Sequence, residues 1–237
     1  MTKDPLSFPS HASAERARAL LDALRLEGPV VGTDEAGRGP LAGPVVAAAV
    51  WLTPEQERSL AALGLQDSKR MTAKSREAVF AAMNEMGVLW RAQAGSVERI
   101  ERDNILQAAL WAMGQSVLRL SDVLPEPPRV VVVDGTARIP GLEREQWPLV
   151  SADALVPAVS AASVAAKVIR DRIMLAMDKR FPGYGFAQHK GYATKAHREA
   201  VRRLGLSPIH RESFCRKLLP GQDERPLTLF PLNDTEE

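Results

Sequence analysis

The sequence predicts an α/β fold in which a mixed central sheet is flanked by helices and followed by a helical C-terminal part. Short apolar runs with strand character all lie before residue 152, and helical periodicity dominates afterwards. The first two apolar runs are separated only by a short Gly/Pro loop, which leaves no room for a crossover helix. Those two strands should therefore pair antiparallel, and this makes the sheet mixed.

The individual elements follow from the same patterns. Strands are predicted at residues 30–34, 45–52, 88–94, 129–134 and 147–151. Helices are predicted near residues 13–26, 72–86, 103–121, 157–180 and 195–204, with terminators such as Gly87 and Gly205.

The chain has 237 residues, of which 45% are hydrophobic, so it can form one compact domain. We expect a helical extension over residues 1–28, a main domain over 29–217 and a flexible tail over 218–237. The sequence contains neither a secretory h-region nor a window of about 18 apolar residues. Its single cysteine, Cys215, cannot form an internal disulfide, so a cytoplasmic location is expected.

Positive charge is concentrated in one segment. Residues 167–217 carry 13 Lys and Arg against 4 Asp and Glu, whereas the chain as a whole has a net charge of only +2. Such a segment suits a phosphate backbone, although a solubilising helical surface would have the same composition.

Three predicted strands deliver acidic residues near their ends. The first runs into Asp34 and Glu35 before a Gly-rich turn, the fourth ends in Asp134, and the fifth leads to Asp153. Adjacent strand residues point to opposite faces, so Asp34 and Glu35 share a site only where the strand ends or distorts.

Clustered carboxylates about 4 Å apart repel by roughly 4 kcal/mol at an effective dielectric of about 20. A cation would neutralise them, and Mg²⁺ or Mn²⁺ prefers such oxygen ligands. The alternative for each acid alone is a turn residue or a helix cap.

The string GTDEAGRGPLAGPVVAAAV closely resembles the first motif of ribonuclease HII, the bacterial type 2 ribonuclease H. Further segments match that family in order, over roughly residues 30 to 214. They are Asp67-Ser68-Lys69, Asn104-Ile105-Leu106-Gln107, the strand from Val130 to Gly135, Asp153 followed by VPAVSAASVAAKVIRDR, HKGYATKAH and HRESF.

The resemblance implies a ribonuclease H-like fold and hydrolysis of the RNA strand of RNA/DNA hybrids, including single ribonucleotides embedded in DNA. It implies two-metal-ion catalysis that leaves 5'-phosphate and 3'-hydroxyl ends. The four catalytic and metal-binding acids of the family fall on Asp34, Glu35, Asp134 and Asp153. The Gly-Arg-Gly sequence falls on Gly37, Arg38 and Gly39, and the substrate-facing tyrosine falls on Tyr192.

Two positions depart from the family pattern. Thr136 stands where Asn is common, and Ala152 stands where Gly is common. Neither change removes a carboxylate, but both affect the expected turn geometry and, through hydrogen bonds to the ligands, the metal preference.

Substrate contacts are also predicted outside the acids. Gly37–Gly39 would present backbone amides to the 2'-hydroxyl, and Tyr192 would lie against the neighbouring sugar, unless it is only a half-buried core aromatic. Ser160, Ser163, Lys167 and Arg170 recur at helical spacing, which indicates either a solvated helix face or a phosphate-binding stripe. Further candidate contacts are Lys69, Arg70, Asn104 and Gln107.

The tail contains Leu227-Thr228-Leu229-Phe230, which is similar to short peptides that dock on the bacterial sliding clamp, but it lacks the leading Gln of the fuller motif. A disordered or self-packing tail is the alternative. For the whole chain, two other functions remain open at this point: a non-catalytic hybrid-binding module, and a DNA nuclease or integrase of similar fold. We expect a monomer.

Overall fold

The computed structural model describes residues 19, 23–65 and 71–218. Its strands are β1 (Val30–Ala36), β2 (Val45–Trp51), β3 (Leu89–Gly95), β4 (Val130–Asp134) and β5 (Gln146–Leu149). They form one sheet in the order β3-β2-β1-β4-β5. β2 is antiparallel to both β1 and β3, whereas β4 is parallel to both β1 and β5. The predicted mixed sheet and the antiparallel first pair are confirmed.

Helices surround this sheet and fill the C-terminal part of the described chain. They are α1 (Pro54–Ala62), α2 (Ala73–Glu85), α3 (Val97–Asp103), α4 (Ile105–Ser121), α5 (Ala152–Leu155), α6 (Pro157–Arg180), α7 (Phe186–His189), α8 (Lys195–Leu204) and α9 (Glu212–Cys215), followed by a 3₁₀ turn (Arg216–Leu218).

One face of the sheet packs against α6, whose first half is nearly all Ala and Val. Gly32 of β1 makes this packing close, because a Cβ at this position would lie 2.3 Å from the backbone nitrogen of Val159. Any other residue would collide with the backbone of α6. The helix therefore lies directly on the strand that carries Asp34.

The other face packs against the apolar side of α4. Alternate residues of the strands serve the two faces: Val30 and Val132 belong to the α6 side, and Val31 and Val131 belong to the α4 side. Strands buried on both faces read as continuous apolar runs, which is why the β4 sequence is four consecutive valines.

The predicted strands and main helices agree with the observed bounds to within about two residues at most ends. The helix predicted from residue 103 instead begins at Ile105. Asn104 interrupts the helical backbone with φ 69°, and its side chain caps α4. The predicted helix at 13–26 lies mostly outside the described residues. Of its residues that are described, 19 and 23–25 are helical. No helix in the described part of the chain is long and apolar enough to cross a membrane.

Candidate active site

Asp34 and Asp134 lie side by side at one edge of the sheet. Parallel pairing of β1 with β4 ends at Thr33 and Val133, one residue before each acid. The carboxyl ends of parallel strands meet at the same edge, so both side chains are brought to one place by the sheet itself. This edge is hereafter called the carboxylate edge, and Glu35 also belongs to it.

Burial dominates the electrostatics of Asp34. Desolvation, followed by the negative charges of Glu35 and Asp134, raises the pKa of Asp34 to about 7. A hydrogen bond from Ser163 and the charge of Lys167 act in the opposite direction. The carboxyl is therefore placed where its charge is costly unless positive charge is added.

The charge of Glu35 also interacts with Asp34 and Asp134, although β1 continues past Asp34 to Ala36. Pairing with β2 continues to Ala36, and only the β4-facing side of β1 is released. Burial raises the pKa of Glu35, Arg38 lowers it, and Asp134 raises it again. We expected β1 to end or distort at Asp34 and Glu35. It does end there in its pairing with β4, but its pairing with β2 continues.

Asp134 accepts a hydrogen bond from the backbone N–H of Ala152 at 2.8 Å. This bond ties the end of β4 to the first residue of α5, after Ser151 has turned the chain with φ 56°. Ala152 has no left-handed backbone, so an alanine fits at this position, where the resemblance led us to expect glycine. The other departure, Thr136, is exposed.

Asp153 follows directly in α5 and is only 2% exposed. It lines a cavity of about 100 Å³ together with Glu57 and Ser160. Asp153 is linked to Asp134 through the preceding residue, Ala152, whose N–H donates to Asp134. The cavity that Asp153 lines is also bordered by Glu57 of α1.

The polar stripe on α6 is not a solvated face. Ser160, Ser163 and Arg170 are all buried, so that interpretation was wrong. The Lys167 Nζ donates to the Ser163 hydroxyl at 2.7 Å, and Ser163 bonds to Asp34. The stripe therefore joins a half-buried cation to the carboxylate edge.

Two buried arginines hold the loop that follows β1, and only one of them was noticed in the sequence. Arg211, which the sequence analysis missed, donates to the carbonyls of Gly37, Arg38 and Gly43. Arg170 donates to the carbonyls of Ala42, Pro44 and Lys190. Both guanidinium groups are buried and bonded to carbonyls, and the HRESF string was the available signal for Arg211.

Gly37 must be glycine in this arrangement. Its φ is +97°, and a Cβ there would lie 2.1 Å from Nε of Arg170. Arg38 and Gly39 are exposed, so the loop presents its tip to solvent while its carbonyls face the buried guanidinium groups.

The other predicted contacts differ in accessibility. Tyr192 is 50% exposed, so part of its ring is accessible to a ligand while Arg170 lies over the ring at 5.7 Å. Asn104 and Gln107 are exposed at the start of α4, where the Asn104 side chain acts as the cap. Lys69, Arg70 and the tail segment Leu227–Phe230 lie outside the described residues.

The donor set suits a hard cation but is not a closed cage. Among the described residues, no group of three or more His, Cys, Asp or Glu side chains is close enough to hold a metal ion. Carboxylate oxygens are nevertheless the ligands that Mg²⁺ and Mn²⁺ prefer, and the pKa of Asp34 is raised by burial and then by negative charges that a cation would offset. Mg²⁺ commonly uses one or two carboxylates and completes its shell with water and substrate phosphate, which fits this open edge.

Comparison with known proteins decides the family. The profile of the family described as Ribonuclease HII matches residues 31–217. The chain belongs to the ribonuclease HII family. It is 48% identical to a ribonuclease HII of Azorhizobium caulinodans over 86% of this chain and 74% of that protein. It is 44% identical to one of Bradyrhizobium diazoefficiens over 95% of this chain and 82% of that protein.

Solved structures agree with this assignment. The ribonuclease H2 of Pyrococcus horikoshii matches with a TM-score of 0.62 and 25% identity, covering 80% of this chain and 96% of that one. The ribonuclease HII in the PCNA complex from Archaeoglobus fulgidus matches with 0.66 and 25%, covering 84% and 98%. A Bst ribonuclease HIII in complex with Mn²⁺, at 19% identity and 0.61, supports the fold.

As a ribonuclease HII, the protein is a metal-dependent endonuclease that hydrolyses the RNA strand of RNA/DNA hybrids. This confirms the predicted fold, enzyme class and activity. The comparisons give no support to a non-catalytic binding module.

Proposed function

We propose that Asp34, Glu35, Asp134 and Asp153 hold the divalent cations of this ribonuclease HII. The observation that supports this most directly is the pKa of Asp34, which burial and two neighbouring carboxylates raise to about 7. A carboxyl held so close to like charges is stabilised in its ionised form by added positive charge. The assignment of Asp153 rests on its position beside Ala152, whose N–H holds Asp134.

Mg²⁺ or Mn²⁺ in a paired site would supply an activated water and stabilise the leaving 3'-oxygen, giving 5'-phosphate and 3'-hydroxyl ends. The protein's own groups position the reactants. Lys167, connected to Asp34 through Ser163, places a positive charge beside the carboxylate edge. Arg38 lies 3.5 Å from Glu35 and limits the negative charge on that side.

Recognition of RNA is assigned to the loop Gly37–Gly39 and to Tyr192. The loop has an exposed tip on a buried, arginine-held base, so its backbone can approach a 2'-hydroxyl without rearranging. The exposed ring of Tyr192 is available to lie against the neighbouring sugar and to favour an RNA-to-DNA junction. Cleavage at single ribonucleotides embedded in DNA follows from this pair of contacts.

The remaining contacts are proposed on weaker grounds. Asn104 and Gln107 are exposed and accessible to a phosphate backbone. Ser160 and Ser163 are buried, so their expected role is to position Asp153 and Asp34 rather than to meet the nucleic acid first. Lys69 and Arg70 are proposed from the sequence alone.

The assignment is tested with Asp134→Asn, using Asp122→Asn as the matched control. Asp122 is exposed at the C-terminal end of α4, before β4 begins, whereas Asp134 ends β4. Both variants are assayed in saturating Mg²⁺ and Mn²⁺ on an RNA/DNA hybrid, a DNA duplex with one ribonucleotide, and an all-DNA duplex. Asp134→Asn should lose about 10³-fold in cleavage of the first two substrates. Near-normal hydrolysis by Asp134→Asn would contradict the assignment.

A sliding clamp is proposed as a second partner, bound through Leu227–Phe230. The structural relative from Archaeoglobus fulgidus was solved with PCNA, and this motivates the proposal. Pull-down of the clamp by the full chain, and by the chain without residues 222–237, tests it. Equal retention of the clamp by both forms would refute it.

A further inference from the structure

Three histidines converge beside Tyr192, although their sequence spacing gave no indication of this. The rings of His189 and His197 stack with centroids 4.2 Å apart, and the rings of His197 and His210 are 5.2 Å apart. His197 is fully buried, and Phe186 packs against all three rings. The cluster is therefore rigid.

The partners of the rings fix one arrangement of protons. The backbone N–H of Ser207 donates to Nδ1 of His210 at 2.8 Å, so the proton of neutral His210 is on Nε2. That N–H donates across 3.0 Å to Nε2 of His197, which must then carry its own proton on Nδ1. The His197 Nδ1–H donates to the carbonyl of Tyr192 at 2.9 Å. A charged ring at either position would place two N–H groups face to face.

His189 completes the cluster in the same neutral form. Its Nδ1 accepts from the N–H of Gly191 at 3.2 Å, and its Nε2–H donates to the carbonyl of Tyr184 at 2.8 Å. All six ring nitrogens of the three histidines are thus engaged within the protein. The cluster has no ring nitrogen left for a metal ion or for proton transfer to substrate.

The chain of donors ends on the main chain of the residue assigned to the sugar contact. The Tyr192 carbonyl accepts from His197 and from the N–H of Thr194, while its ring is half exposed. Arg170 additionally holds the carbonyl of Lys190. The backbone of Tyr192 is fixed from the interior, and only the side chain reaches outward.

We propose that His197 and His210 are positioning residues that fix the backbone of Tyr192 through this chain of neutral tautomers and thereby set the preference for single ribonucleotides. The inference rests on the proposed role of Tyr192. A displacement of about 1 Å at a substrate-positioning group can cost up to about 100-fold in rate, so the effect of losing the donor is measurable.

Two variants of His197 separate positioning from packing. In His197→Asn the side-chain amide lies near the former Nδ1 and keeps a donor for the Tyr192 carbonyl. In His197→Gln the amide lies near the former Nε2, keeps the contact with His210 and loses that donor. Both replace a buried ring by an amide, so both should lower stability to a similar extent.

The measured quantity is the ratio of kcat/KM on a duplex with one ribonucleotide to kcat/KM on an all-RNA hybrid. His197→Gln should lower this ratio about 10-fold, and His197→Asn by less than about 3-fold. Equal ratios for the two variants would overturn the inference. If Tyr192→Ala leaves the ratio unchanged, the substrate role of Tyr192 fails; if Tyr192→Ala lowers the ratio and His197→Gln does not, only the present inference fails.

A second measurement needs no variant. Long-range ¹H–¹⁵N correlation spectra of the imidazoles at pH 7.5 should show His197 as the Nδ1–H tautomer, and His189 and His210 as Nε2–H tautomers. An Nε2–H tautomer at His197, or a cationic ring at either His197 or His210, would contradict the proposed chain.

Discussion

The carboxylate edge and the histidine cluster both bury ionisable groups, but they treat them in opposite ways. At the carboxylate edge, burial and then the negative charges of Glu35 and Asp134 raise the pKa of Asp34 to about 7. In the cluster, burial and then the charge of His197 lower the pKa of His210 to about 4, so the ring stays neutral and every ring nitrogen has a partner. Added positive charge would stabilise the carboxylate edge, whereas the hydrogen bonding of the histidine cluster is complete within the protein.

This difference matches the two roles that we propose for these regions. A site that binds cations benefits from negative charge that the folded chain alone does not balance, at a cost in stability. A site that positions a substrate-reading residue benefits from complete hydrogen bonding, because satisfied buried networks are rigid. Variants should therefore have opposite effects on stability in the two regions.

The largest effect is expected from Asp34→Asn. Activity should fall about 10³-fold, because an amide replaces a proposed ligand. The folded state raises the pKa of Asp34, so its stability decreases as pH rises from about 4 to about 7 and the loss is complete above that range. In EDTA at pH 8 the variant should consequently be more stable than the wild type by about 2 kcal/mol. Thermal unfolding at pH 8 and pH 4 checks this, and a lower Tm at pH 8 would contradict it.

Arg211→Met should be the most destabilising change in the arginine-held loop. It leaves the buried carbonyls of Gly37, Arg38 and Gly43 without their guanidinium donor, at a cost of about 3 kcal/mol. Arg216→Met is the control, because Arg216 is exposed. Urea unfolding of both variants measures the difference, and equal midpoints would show that the buried guanidinium contributes no more than an exposed one.

A smaller effect is expected from pH in the histidine cluster. His210 has a lowered pKa in the folded state, so stability is lost as pH falls from about 6.5 to about 4. The groups that face it are Tyr184, Phe186, His189, His197 and Ser207. His210→Gln keeps a donor near Nε2. It should reduce the loss in free energy of unfolding between pH 6.5 and pH 4 by about 2 kcal/mol. A variant as acid-sensitive as the wild type would rule out His210 as the source.

The smallest effect is expected from Ala152→Gly, which introduces the residue that the family resemblance led us to expect. Ala152 lies in regular helical backbone and contributes its N–H to Asp134, and glycine would contribute the same group. Steady-state cleavage should change by less than about 2-fold. A much larger gain in rate would show that the methyl group interferes with the carboxylate edge.

Much of this structure was predictable from local patterns. The valines of β4 and the acids Asp34, Glu35 and Asp134 lie within the strands that position them, so both could be read directly from the sequence. The short α1 was missed, although Thr53 and Gln56 form a capping box around Pro54. Its low apolar content hid it, because a helix with one buried leucine has almost no periodic signal.

The histidine cluster and the role of Arg211 were not predictable in this way. His197 and His210 are 13 residues apart, and Arg211 contacts carbonyls more than 160 residues earlier in the chain. Spacing rules describe neighbours on one element, and these contacts join separate elements. The basic segment was therefore assigned to the surface, although two of its arginines are internal.

Gly32 has a consequence for how the enzyme tolerates change. Because α6 rests on the backbone of β1 at this residue, Ser163 and Lys167 keep a fixed offset from Asp34. A methyl group at position 32 would lift the helix away from the strand and carry the lysine with it. The lack of a side chain at this one buried position thereby keeps β1 and α6 in register.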